Sequence, residues 1–235
     1  MSVDQPHFLK QLEHQALVRP NSVAIEWGKE RVTYADLVRE MHAVAQAVLT
    51  DGAEPGMRFL YAAKPTPRSI AYALGMLRAG LTLVFVDPFS APNLFAERTR
   101  LVNPSYTIAD SLLYAVGHKR WSWLRQLKKI SVCDYSEAPG RHVYVGRWMP
   151  GLPARATSMR TLLAGRQEVA LAELDQDADL IIVFTSGTTG DPKGVVHSLK
   201  SLSANADGFA ELLQVAAGQV IYTEPMTVGM LALTR

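Results

Sequence analysis

Apolar side chains recur along this chain at two spacings, and the two alternate. Phe8, Leu9, Leu12 and Ala16 fall at helical spacing and stop near Pro20, so a helix is predicted over 8–18. A strand is predicted over 22–27, with Gly28-Lys29-Glu30 as a turn. Leu37, Met41, Val44, Ala45 and Val48 then form one apolar stripe, which predicts a helix over 34–49 ended by Asp51-Gly52. Further along, 57–63 reads as a strand, 69–79 as a helix and 82–86 as a buried strand. Helices are predicted over 92–102 and 111–127, with a strand over 106–109 between them. Strands alternating with helices of about 10–15 residues argue for βαβ units. The expected fold class is therefore α/β, with mostly parallel sheets flanked by helices.

That alternation lapses over 135–178, where Pro139-Gly140, Pro150-Gly151 and Pro153 punctuate the chain. An irregular surface excursion is expected there. Regularity returns with the continuous apolar run Leu180-Ile181-Ile182-Val183-Phe184, a strand buried on both faces. After the short apolar pair Val195-Val196, Ser198 is placed to cap a helix through Leu199, Leu202, Phe209, Leu212 and Leu213, with Gly218 beyond its end. A last strand is expected over 220–223. The apolar stretch 226–235 carries no cap or turn signal.

Composition narrows the function classes. Of the 235 residues, 48% are hydrophobic and 20% charged, which suits a globular protein. With 24 basic and 22 acidic residues the net charge of +2 gives no reason to expect nucleic acid or a membrane surface as partner. No apolar run approaches the ~18 residues needed to span a bilayer. The single cysteine, Cys133, excludes an internal disulfide and fits a reducing compartment, so the cytoplasm is the expected location. The start of the chain lacks a basic segment followed by an apolar core and does not read as a signal peptide.

Between the two apolar runs lies Thr185-Ser186-Gly187-Thr188-Thr189-Gly190-Asp191-Pro192-Lys193-Gly194. Glycines let backbone approach an anion closely, turn amides form an anion-binding concavity, hydroxyls add donors and lysine supplies a mobile charge. The segment fails the Walker A spacing, because Gly194 stands where a magnesium-binding hydroxyl should follow the lysine. Pro192 also biases Asp191 away from helix, so a helix starting at Lys193 is not expected. The dinucleotide fingerprint fails for want of a paired glycine before Gly187. A plain turn between two strands is the simpler alternative for such a cluster.

This segment resembles the signature loop of the adenylate-forming superfamily, which includes acyl-CoA synthetases, peptide-synthetase adenylation domains and luciferases. Two segments agree in order: Val32-Thr33-Tyr34-Ala35-Asp36-Leu37 resembles the family's first motif, and Leu77-Arg78-Ala79-Gly80 through Val86-Asp87-Pro88 its second. The resemblance implies activation of a carboxylic acid by ATP and Mg2+ as an acyl-adenylate, then transfer to the thiol of coenzyme A or of a carrier protein. It implies that Thr185, Ser186, Thr188 and Thr189 bind the β- and γ-phosphates, that Gly187, Gly190 and Gly194 shape the loop, and that Lys193 neutralises the departing pyrophosphate. On the same ground 1–235 corresponds to the N-terminal portion of the large AMP-binding domain. The metal-holding groups, the small C-terminal domain and its catalytic lysine are then expected past Arg235. Leu81 and Phe85 depart from the peptide-synthetase version of the second motif, Leu199 stands where many members carry histidine, and Glu224-Pro225-Met226 fits an acyl-pocket wall. These lean toward long-chain acyl and β-lactone-forming synthetases, hence a fatty or other apolar acid. The alternative is a truncated remnant that binds a nucleotide or a partner without chemistry.

Remaining residues draw two readings each. His197 stands near the loop in sequence, where it either contacts the nucleotide or packs; the other histidines lack metal-ligand spacing, and no metal site is expected among them. The basic and aromatic run 118–129 reads first as a solvated helix face. Cys133 has no neighbouring base in sequence and reads as an ordinary buried thiol.

Overall fold

A computed structural model gives the fold, described here for residues 7–89, 92–118, 132–184, 193–216 and 218–221. Its strands are β1 (Val23–Trp27), β2 (Glu30–Thr33), β3 (Arg58–Ala62), β4 (Thr82–Phe85), β5 (Tyr106–Asp110), β6 (Arg141–Val145), β7 (Thr157–Ser158), β8 (Asp179–Phe184) and β9 (Gly194–Ser198). Its helices are α1 (Phe8–Val18), α2 (Tyr34–Thr50), α3 (Pro67–Arg78), α4 (Phe95–Val102), α5 (Ser111–Gly117), α6 (Met159–Ala164) and α7 (Leu199–Leu212). Among the described residues β1 and β2 form a hairpin, and the other strands form one sheet in the order β7-β6-β5-β3-β4-β8-β9. Every pairing in that sheet is parallel except β8 with β9.

The sheet is apolar on both faces because helices cover both. Phe59, Tyr61, Leu83, Ile108, Val143, Ile181 and Val183 point into one core with residues of α1, α2, α3, α6 and α7. Their neighbours Leu60, Ala62, Val84, Ala109, Ile182 and Phe184 point into the other, with α4, α5 and Tyr135. The period-two alternation of each strand sorts its side chains between the layers. Tyrosine hydroxyls enter this interior with partners: Tyr61 donates to the Ser69 carbonyl at 2.5 Å, and Tyr114 to the Thr107 carbonyl at 2.9 Å.

Local chemistry sets the helix ends. Thr33 caps α2 by accepting from the Asp36 amide. Thr66 and Ser69 form a reciprocal capping box that starts α3 at Pro67, two residues before the hydrophobic spacing predicts. Ser198 caps α7 as expected; the helix ends at Leu212, and both Gln214 and Gly218 beyond it have positive φ.

Four expectations are corrected. The stretch 135–178 is not an excursion throughout: it contributes β6, β7 and α6 to the sheet and its cover. The helix predicted over 111–127 ends at Gly117, where an added Cβ would lie 2.6 Å from the Cys133 carbonyl oxygen; 119–131 lie outside the described residues. Glu30 to Thr33 is a strand, and Val220 and Ile221 form none. The stretch 226–235 lies outside the described residues.

α2 and α3 touch at a glycine. A Cβ on Gly75 would lie 2.5 Å from the Val44 Cβ and 2.6 Å from the Met41 carbonyl oxygen. Gly75→Ala should therefore force the helices apart and cost about 1–3 kcal/mol. Gly208, exposed on α7 with nothing near its missing Cβ, should behave oppositely: Gly208→Ala gains roughly 0.5–1 kcal/mol of helix propensity. Denaturant midpoints of the two variants should move in opposite directions; a stabilising Gly75→Ala would mean that the helix contact is looser than described.

Candidate functional site

In an open, mainly parallel sheet, ligands settle outside the carboxyl ends of the strands where successive crossovers diverge. Here β3 leads to α3 on one face, whereas β4 and β5 lead to α4 and α5 on the other. Asp87 and Asp110 stand at that edge, past β4 and at the end of β5. β4 and β8 are neighbours, with Phe85 opposite Val183, so the second motif and the glycine- and threonine-rich loop leave the sheet side by side.

The second motif is pinned by its surroundings. Tyr135 donates to the Val86 carbonyl at 2.6 Å, the Cys133 amide to the Pro88 carbonyl at 2.8 Å, and the Phe89 amide to the Asp87 carboxylate at 3.0 Å. One strand farther on, the Asp110 carboxylate ends β5 and accepts from the Lys64 amide at 2.6 Å. Burial raises the pKa of Asp110, and that amide bond opposes the rise. Sequence reasoning missed Asp110, although an acidic residue closing an apolar strand was a usable signal.

Thr185, Ser186, Gly187, Thr188, Thr189, Gly190, Asp191 and Pro192 lie outside the described residues. Their two ends are described. Phe184 closes β8 and is buried, and it stands opposite Gly194, which opens β9. A Cβ on Gly194 would come 3.1 Å from Ile182 Cγ2 and 3.7 Å from Phe184 Cε1, so glycine lets the two stems close on one another. Lys193 is exposed at the mouth of the stem. The ends thus combine an exposed cation with close backbone approach, features that suit a polyphosphate.

The remaining expected residues separate. Thr33 and Asp36 of the first motif are engaged in capping α2, and Asp36 also pairs with Arg39. Hydrogen bonds from Thr33 and then Arg39 hold the Asp36 carboxyl below its usual range. His197 is half-buried on β9, opposite Ile181. Of the basic run, only His118 is described; Glu224, Pro225 and Met226 lie outside the described residues. No helix among the described residues is long and apolar enough to cross a membrane.

A family model described as AMP-binding enzyme matches residues 12–229. Among curated proteins, a malformin synthetase of Aspergillus homomorphus is 26% identical over 187 residues, covering 80% of this chain and 3% of its own length. A dimodular nonribosomal peptide synthase of Bacillus subtilis is 24% identical over 192 residues, covering 80% of this chain and 7% of its own. Among solved structures, the anthranilate CoA ligase AuaEII in complex with anthranoyl-AMP superposes with a TM-score of 0.64 at 18% identity, over 87% of this chain and 37% of that one. The chain therefore spans a small part of the relatives it matches.

Cys133 lies beside the pinned motif and is 1% exposed, and burial pushes its thiol up to about 12, with Asp87 adding to the rise. At pH 8 it is protonated and unsuited to act as a nucleophile. Alkylation of the folded protein should run about a hundred- to a thousandfold slower than that of the urea-unfolded chain, following the thiolate fraction. Equal rates would show an exposed, ionised thiol.

Proposed function

Because this chain belongs to the AMP-binding enzyme family, we propose that it forms part of an ATP-dependent ligase that activates a carboxylic acid as its acyl-adenylate. The observation that carries the reading is the convergence of two ordered motifs at adjacent strand ends, with the loop's stems closed by Gly194. In this reading Thr185, Ser186, Thr188 and Thr189 donate to the β- and γ-phosphates, and Gly187 and Gly190 keep the backbone close to them. Lys193 stands where the pyrophosphate gathers charge as it leaves. Donors aimed at a departing charge contribute to rate as well as to binding. Mg2+ accompanies the triphosphate.

The acceptor is a thiol, of coenzyme A or of a carrier protein. Peptide synthetases among the sequence relatives favour the carrier, whereas the anthranilate ligase favours coenzyme A. Anthranilate, in the name of that ligase, is an aromatic acid; a fatty acid specifically draws no support from these names.

Lys193→Ala and the near-isosteric Thr188→Val in the full-length protein should each lower ATP–pyrophosphate exchange, by about 10²–10³ for the loss of one well-placed donor. Exchange at the unsubstituted rate in both variants would refute the assignment of the loop.

A further inference from the structure

Arg98 sits where its helix spacing reserves a place for an apolar side chain. Phe95, Thr99 and Val102 share its buried face of α4, and Arg98 itself is 7% exposed. Its guanidinium carbon lies 5.6 Å from the centroid of the Phe184 ring, within the range in which a ring face attracts a cation. Its Nε has no hydrogen-bond partner, and no carboxylate among the described residues forms an ion pair with it. Arg78 shows the contrast: its Nε donates to Glu13 at 2.7 Å and its second nitrogen to the Ala172 carbonyl at 2.9 Å. An arginine cannot shed its proton to escape burial. The ring compensates only part of that cost, so among the described residues this charge lacks a counterpart.

The ring under Arg98 belongs to the stem of the loop. Phe184 precedes Thr185, stands opposite Gly194 and approaches within 3.7 Å of the place a Gly194 Cβ would take. Arg98 therefore lies against the side chain that ends one stem of the loop, opposite the other stem.

We propose that Arg98 is a positioning residue whose counter-charge is the phosphate chain of a nucleotide bound at this stem. The guanidinium steadies the stem through Phe184, and its unpaired charge is compensated when the nucleotide is present. The proposal rests on the loop being a triphosphate cradle. It predicts that the empty protein gains nothing from the charge, whereas the loaded protein does.

The test uses the full-length protein and the variants Arg98→Met, Arg98→Lys and Phe184→Leu. Thermal unfolding with and without MgATP is measured beside ATP–pyrophosphate exchange. Arg98→Met should leave the nucleotide-free melting temperature unchanged or raised, while the KM for ATP rises tenfold or more and stabilisation by MgATP shrinks. Arg98→Lys, which keeps the charge but not the planar face, should fall between. Phe184→Leu should raise the KM as well. An Arg98→Met protein that melts earlier yet keeps its KM for ATP would make the residue merely structural and overturn the proposal. If Arg98→Met does not fold, a wild-type KM in Arg98→Lys and Phe184→Leu overturns it equally. Unsubstituted protein that neither exchanges pyrophosphate nor is stabilised by MgATP would remove the cradle itself. That result is distinct from a selective failure of the Arg98 variants.

Discussion

Backbone pairing between β4 and β8 determines where polar chemistry can stand in this chain. Leu83, Val84 and Phe85 pair with Ile181, Ile182 and Val183 across a sequence gap that holds much of the fold. Both strands are covered on both faces, so neither tolerates an unpartnered polar side chain within its length. Polarity begins at the strand ends, and there the chain places Asp87, Asp110 and the hydroxyl-rich loop. A slip of one residue in β8 would exchange its two sets of side chains between the layers. Phe184 would then leave the layer shared with α4, and the loop would start on a different footing. Register, core and loop position are a single constraint.

The elements whose cores dictate them were legible in the sequence. The long stripe of α2 and the apolar runs of β4 and β8 required no tertiary information. β6 was hidden because its first residues, Arg141 and His142, are polar for tertiary reasons. Arg141 pairs with Asp51 at 2.7 Å, and His142 meets the Tyr114 hydroxyl at 3.1 Å. β7 is too short to leave a pattern. The start of α3 was obscured because Thr66-Pro67 reads as a break when the capping box is not considered. At the candidate site, residue types alone made the loop a phosphate-binding candidate, and they gave no view of how its stems close. That closure depends on Gly194 facing Ile182 and Phe184 across an antiparallel pair. Arg98 left a signal that was passed over: a charged residue on an otherwise buried helix stripe.

The buried charges divide by how they are satisfied. At Glu13, burial alone would raise the pKa, but hydrogen bonds from Arg78 and His42 outweigh it and hold the carboxyl below its ordinary range. That cluster joins α1, α2 and α3 and is complete within the chain. Beside the loop the opposite holds: a cation is buried against an aromatic ring with a donor unused. Completed clusters hold a fold together. An incomplete one next to a strand end is what the proposed nucleotide would complete.

The direction of β9 explains why such a cation is useful here. Where a phosphate loop runs directly into a helix, the helix N-terminus supplies amides and a favourable dipole. In this chain the loop runs into β9, which turns back antiparallel, and α7 begins only after Ser198, opposite Asp179 at the far end of β8. Five residues of strand set that helix start roughly 15 Å from the loop, beyond the reach of its dipole. Its first turn is also occupied, since Ser198 accepts from the Ser201 amide. The end of β8 therefore has no helix start directly following it to offer an anion. Lys193 is exposed just before β9, and Arg98 is buried on α4. A lysine alone is strongly hydrated and mobile; a buried guanidinium stacked on the stem carries its charge in a fixed place. The antiparallel return takes the following helix start away from the end of β8, and in the proposed arrangement Arg98 supplies positive charge beside that end.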